Sequence, residues 1–252
     1  MTAFLDLGAP VLAACAAAIL AGGLVKGVVG IGLPLVALPV MVNFIPVPKA
    51  IALLILSSFA TSVWQSVDGG EFASSARRFW PLLAGIAVGV AISVKALTTF
   101  DIKALYLILG AIVTVFASVL HRRMVFSVAP RAERWVAPLT GVVAGLMGGL
   151  SMLFGPIYAM YLSGLRLGRE MFVAAISLAN VWATVVLAAA MAKYDLLGGA
   201  DLMASLLALI PSSLGVLLGT KLRRHINENV FRKMLAVVLF LIGLNLIRRA
   251  VM

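Results

Sequence analysis

Charge is what this sequence has least of. Asp and Glu number 9 in 252 residues and Lys and Arg 20, so 12% of the chain is charged while 63% is hydrophobic. A soluble domain is about a quarter charged and about half apolar, and the shortfall excludes one here. Every carboxylate falls outside the long apolar runs. That leaves no acidic cation site and no Asp/Glu proton relay at membrane depth. The two histidines, His121 and His225, sit in basic loops and cannot form a metal cluster within the apolar runs. The single cysteine, Cys15, excludes an intrachain disulfide. "LAAC" around it resembles a lipoprotein cleavage box, but no basic residue precedes it, so a retained N-terminus is expected. HExxH, GxSxG and a Walker lysine loop are all missing. No enzyme activity, catalytic residue, metal ligand or cofactor is therefore expected. The net charge of +11 lies in short loops without interleaved aromatics, which points to membrane topology and not to nucleic acid.

What is present is apolar sequence in long runs. Eight occur, at roughly 10–42, 49–67, 79–97, 103–120, 137–164, 171–192, 202–220 and 234–251. Six have the length of one membrane crossing. The first and fifth are too long for one crossing and too short for two, which would need about 40 residues. Both are also interrupted: Gly27, Gly30, Gly32 and Pro34 in one, Gly148, Gly149, Gly155 and Pro156 in the other. Gly and Pro each disfavour continuing a helix.

The chain repeats itself. "GLVKGVVGIGLPLVA" aligns without a gap with "GLMGGLSMLFGPIYA", pairing Gly23 with Gly145, Gly27 with Gly149 and Pro34 with Pro156. "PLLAGIAVG" pairs with "PSSLGVLLG", and the order of segments is the same in both halves. If all eight runs cross, loop Lys and Arg divide 9 against 10 between the two sides. If the first and fifth are hairpins, loops 68–78, 121–134, 166–170 and 221–233 share a side with 13, against 6 opposite. The positive-inside rule selects the second arrangement, with the 13 in the cytoplasm. The expected fold is all-α and polytopic: an inverted repeat of two four-segment units, each a broken or re-entrant hairpin plus three transmembrane helices. Residues 1–120 would form the first repeat, 121–134 a basic cytoplasmic linker and 135–252 the second repeat. Broken segments at matching positions of an inverted repeat are the pointer to a secondary transporter with its site at the repeat interface.

Candidate site residues cluster at the breaks. Lys26 is the lone charge between Asp6 and Lys49. A buried ammonium without an acidic neighbour in its run suits an anion arriving from solution; snorkelling to the interface is the alternative. Gly27, Gly30, Gly32, Gly149 and Gly155 would offer backbone N–H groups at broken helix ends. The residue matching Lys26 is Gly148, so charge is confined to one copy. Ser151 could add a hydroxyl or simply pack. Asn180 and Ser57 are polar residues within apolar spans, suited either to a substrate or to helix contacts. Trp182 either lines a cavity or packs. Gly23, Gly27, Gly85, Gly89, Gly145, Gly149, Gly215 and Gly219 form pairs four apart, the spacing of close helix contacts.

At these residues the chain resembles the TauE/SafE family of membrane transporters, the sulfite exporter family. The duplicated "GLVKGVVGIGLPLVALPV" and "GLMGGLSMLFGPIYAMYL" and the paired "PLLAGIAVG" and "PSSLGVLLG" carry the resemblance, which covers essentially the whole chain. It implies a multi-pass protein of the bacterial inner membrane moving sulfite or small sulfur-containing organic anions. The expected function is export of such an anion, with a passive anion channel or an uptake carrier as alternatives. A non-transporting assembly or receptor subunit is a third class. The expected partners are a small anionic substrate and the lipid bilayer, with a homodimer left open and nucleic acid excluded.

Overall fold

The computed structural model of the chain describes residues 8–29, 32–67, 71–122, 129, 132–165, 167–223 and 228–251. Among these residues the regular structure is helical, without a strand. The first broken run gives α1 (Ala9–Val29) and α2 (Leu33–Met41). The next three runs give α3 (Val47–Val67), α4 (Phe72–Val94) with a short α5 (Ala96–Thr99), and α6 (Ile102–Arg122). The second half starts with the pair α7 (Glu133–Ser151) and α8 (Gly155–Gly164), followed by α9 (Arg169–Lys193). It ends with α10 (Gly199–Leu207), α11 (Leu209–Leu222) and α12 (Glu228–Val251). Six stretches of the described helices are long and apolar enough to cross a bilayer: Ala9–Val28, Val47–Trp64, Ala73–Thr99, Glu170–Lys193, Gly199–Leu222 and Lys233–Val251. Both broken runs are interrupted, as their glycines and prolines imply. The seventh run is also broken, at Ala208. Pro211 accounts for this, because it cannot donate a backbone hydrogen bond to the carbonyl of Leu207. Most of the 121–134 linker lies outside the described residues.

The helices gather into two compact units that are not the two sequence halves. One comprises Met1–Ser57, Thr99–Met124 and Asp195–Met252; the other comprises Ser58–Thr98 and Val125–Tyr194. Glycine decides the packing in each. In the first unit, Gly23 and Gly27 of α1 face Gly215 and Gly219 of α11, with the two helices running in the same direction. A methyl group at Gly27 would lie 2.9 Å from the Cα of Gly219 and 2.8 Å from the nitrogen of Thr220. Without hydrocarbon-driven association, membrane helices gain their contact energy from such close backbone approach. Gly110 of α6 and Gly243 of α12 make an antiparallel seam in the same unit. In the second unit, Gly85 and Gly89 of α4 face Gly141 and Gly145 of α7, again in parallel.

Between α3 and α10 the first unit is joined by polar groups instead. Ser205 Oγ donates to the carbonyl of Leu53 at 2.8 Å and accepts the N–H of Leu56 at 2.9 Å. One turn away, Lys49 Nζ lies 2.7 Å from Asp201 Oδ1.

Candidate functional site

The first break is built by glycine. Gly32 has φ 120°, a conformation that side chains resist, and it caps α2. Gly30 lies outside the described residues. Beyond the break α2 folds back along α1, so that Gly22 faces Leu33 and Ala37. Pro34 is the second residue of α2 and has no N–H to lose there. The first-turn donors of α2 are therefore those of Leu33 and Leu35, and neither has an acceptor inside its own helix.

Lys26 sits in the last turn of α1 with 4% of its surface exposed. Neither α1 nor α2 contains an Asp or Glu. The carbonyl end of α1 favours a cation at this place, and the amide end of α2 favours an anion. Gly32 lies against the Val25 side chain, which brings the amide end of α2 level with the turn of α1 that carries Lys26. Gly27 is inside α1, where its N–H is directed at the carbonyl four residues back, and its missing side chain admits α11.

The second break is built differently. Gly148 and Gly149 remain inside α7, and the turn falls on Met152, whose φ is 58°. The Met152 N–H closes back on the carbonyl of Gly148 at 2.6 Å. Gly148 is required by the ring of Phe154, which folds over it and would collide with any side chain there. Gly149 faces Ser93 of α4. Gly155 and Pro156 start α8, repeating the proline placement of α2. Ser151 is fully buried and engaged: its hydroxyl donates to the carbonyl of Met147 at 2.7 Å and accepts the N–H of Leu153 at 3.3 Å.

Asn180, on α9, is tied to the second break through Tyr158 of α8, whose hydroxyl donates to Asn180 Oδ1. Because the carbonyl end of the amide is taken, its Nδ2 donor end is directed elsewhere. Tyr158 was missed by sequence reasoning, although it lies in the quoted repeat "GPIYA"; it is fully buried. Ser93 was missed too, and its hydroxyl donates to the carbonyl of Gly145 at 3.2 Å. Trp182 donates its indole N–H to the carbonyl of Leu83 at 2.9 Å, which fixes it as a link between α9 and α4. Ser57 is fully buried on α3. The first unit thus gathers Lys26, Gly27 and Gly32 at one break, and the second unit gathers Gly149, Ser151, Gly155 and Asn180 at the other.

Residues 14–246 match the model of the sulfite exporter TauE/SafE family. The chain belongs to that family. No curated protein and no solved structure matches the sequence. The stretch matched by the TauE/SafE model contains both breaks, the glycine seams of both units, and Asn180. TauE/SafE proteins are membrane transporters, and the apolar helices of this member agree with that role. Among the described residues of this TauE/SafE chain, no group of three His, Cys, Asp or Glu side chains could hold a metal ion.

Proposed function

We propose that this TauE/SafE protein is a secondary transporter of the bacterial inner membrane that exports a small anion, sulfite or a small organosulfur acid. The observation that carries the reading is Lys26, a basic residue 4% exposed in the last turn of α1, immediately before the break that leads to the amide end of α2. Lys26 neutralises the anion, and the first-turn N–H groups of α2, beginning at Gly32, hydrogen-bond its oxygens. The second unit offers a separate set of donors at its own break, Gly155 and the Nδ2 of Asn180. Ser151 shapes the turn, since its hydroxyl proton is already committed to Met147. Ser57 supports α3.

The two halves are inverted repeats in this reading, and alternating access follows from one repeat rocking against the other. The paired seams support it. α1, which opens the first half, packs on α11 from the third run of the second half; α7, which opens the second half, packs on α4 from the third run of the first. The same exchange made twice is what duplication of one four-segment unit produces.

The test is sulfite efflux from liposomes containing purified wild-type protein, Lys26→Met or Lys26→Arg, each checked for a monodisperse elution profile. A hydrogen bond to a charged group is worth about 1.5–3 kcal/mol, so Lys26→Met loses roughly 10- to 100-fold in apparent affinity and Lys26→Arg retains part of the flux. Wild-type efflux from Lys26→Met refutes the role of the ammonium. Flux far above carrier rates and indifferent to an imposed pH gradient identifies a channel, and net accumulation in right-side-out vesicles identifies an uptake carrier.

A further inference from the structure

Away from both breaks, the first unit contains a cavity of about 370 Å³ walled by α1, α3, α10 and α11. Its floor is Cys15, Ile19 and Leu53, each 2–3% exposed. Its rim is Met203, Leu207 and Ile210, each more than half exposed. The kink at Ala208 forms part of the wall. These helices are membrane spans, so the rim faces hydrocarbon and not water. The volume is within the range of small-molecule sites. Its apolar lining and open rim suit a single flexible hydrocarbon chain.

A polar pair lies just beyond one end of the cavity. Lys49 is one turn before the lining residue Leu53 on α3, and Asp201 is one turn before Ala204 on α10. Their ion pair is 2.7 Å long. The two partners are unequally exposed: the Lys49 side chain 47%, that of Asp201 10%. Asp201 Oδ2 is taken by the N–H of Gly198 at 2.9 Å. An ammonium has three N–H donors and Asp201 accepts one. Lys49 is the half-exposed partner and stands at the start of the Val47–Trp64 span, where a chain crossing the bilayer meets the headgroups.

We propose that this cavity is a phospholipid site, with one acyl chain lying along Cys15, Ile19 and Leu53 and the phosphate of the same lipid held by Lys49. The occupant combines an apolar chain and an anionic group at the spacing the protein offers, and free phosphate or free hydrocarbon satisfies only one end. Bound lipid would brace α1 against α10 and α11.

Native mass spectrometry of the full chain, extracted in mild detergent from membranes of phosphatidylethanolamine and phosphatidylglycerol, tests this. The wild type is expected to retain one phospholipid per chain. Ala204→Phe fills the cavity and is expected to lower occupancy at least 10-fold. Ala16→Leu, a smaller filling change on the opposite wall, serves if Ala204→Phe does not fold. Lys49→Gln is expected to lower occupancy several-fold, and Val237→Phe on the exposed face of α12 to leave it unchanged. Equal retention by the wild type and the filled variants overturns the site. A retained chain without a phosphate, or retention indifferent to Lys49→Gln, overturns the headgroup contact. A protein dimer abolished by Ala204→Phe shows that a second copy, not lipid, covers the cavity.

Discussion

Gly89→Ala puts one methyl group where α4 and α7 meet. The added carbon would stand 2.8 Å from the Cα of Gly145 and 2.7 Å from the nitrogen of Leu146, and closer still to the carbonyl oxygen of Val142. All three are backbone atoms, so no side chain can rotate away. Favourable separation is about 3.5–4.0 Å, so the helices must part by about 0.7 Å or more. A gap of that size forfeits about a quarter to a half of the dispersion energy of each contact along the seam. Overpacking of this kind costs about 1–3 kcal/mol, and the better helix propensity of Ala returns about 1 kcal/mol. The net loss is up to about 2 kcal/mol, which at about 2–4 °C per kcal/mol lowers Tm by up to roughly 8 °C. The assay is thermal unfolding in detergent followed by size-exclusion chromatography of what remains folded. Gly27→Ala, facing Gly219 at a similar distance, is expected to lose as much. Gly168→Ala is the control, because nothing lies within 4 Å of a methyl group there. If Gly89→Ala melts above the wild type, backbone contact at the seam does not hold the unit together.

Two further outcomes follow from named hydrogen bonds. Ser205→Ala removes the partner of both the Leu53 carbonyl and the Leu56 N–H and is expected to destabilise the protein by about 1–3 kcal/mol, read as an accelerated loss of folded protein in the same melting assay. Tyr158→Phe frees the amide of Asn180 to rotate; sulfite flux should fall with little change in Tm, and Asn180→Asp, which puts a carboxylate in place of a donor, should cut flux further. A Tyr158→Phe protein that transports normally would remove Asn180 from the binding machinery.

How much of this was legible depended on whether the signal was local. The apolar runs and both breaks were readable because Gly and Pro near positions 32–34 and 155–156 act on their own backbone. The pairs of glycines four apart announced close contacts, but their partners were not readable. Gly27 finds Gly219 across nearly the whole chain, and nothing in either sequence stretch specifies the other. The turn at Met152 was invisible because a left-handed residue is usually Gly or Asn, and here the Phe154 ring packed over Gly148 fixes it instead. Asn180 could be singled out as polar in apolar surroundings, but its pairing with Tyr158 depends on how α8 and α9 are rotated, which periodicity alone does not give. The kink at Ala208 was recoverable from Pro211 and was overlooked within an otherwise uniform run.

The exchange of segments between halves bears on how the protein is made. The Gly85–Gly141 seam joins helices separated only by α5, α6 and one linker, so it can close while the ribosome is still working. The Gly27–Gly219 seam cannot, because α1 is inserted first and its partner emerges almost last. Until α11 emerges, α1 therefore waits in the bilayer with its glycine stripe uncovered. A chain stopped before α11 would leave that surface permanently bare, a natural mark for membrane quality-control proteases.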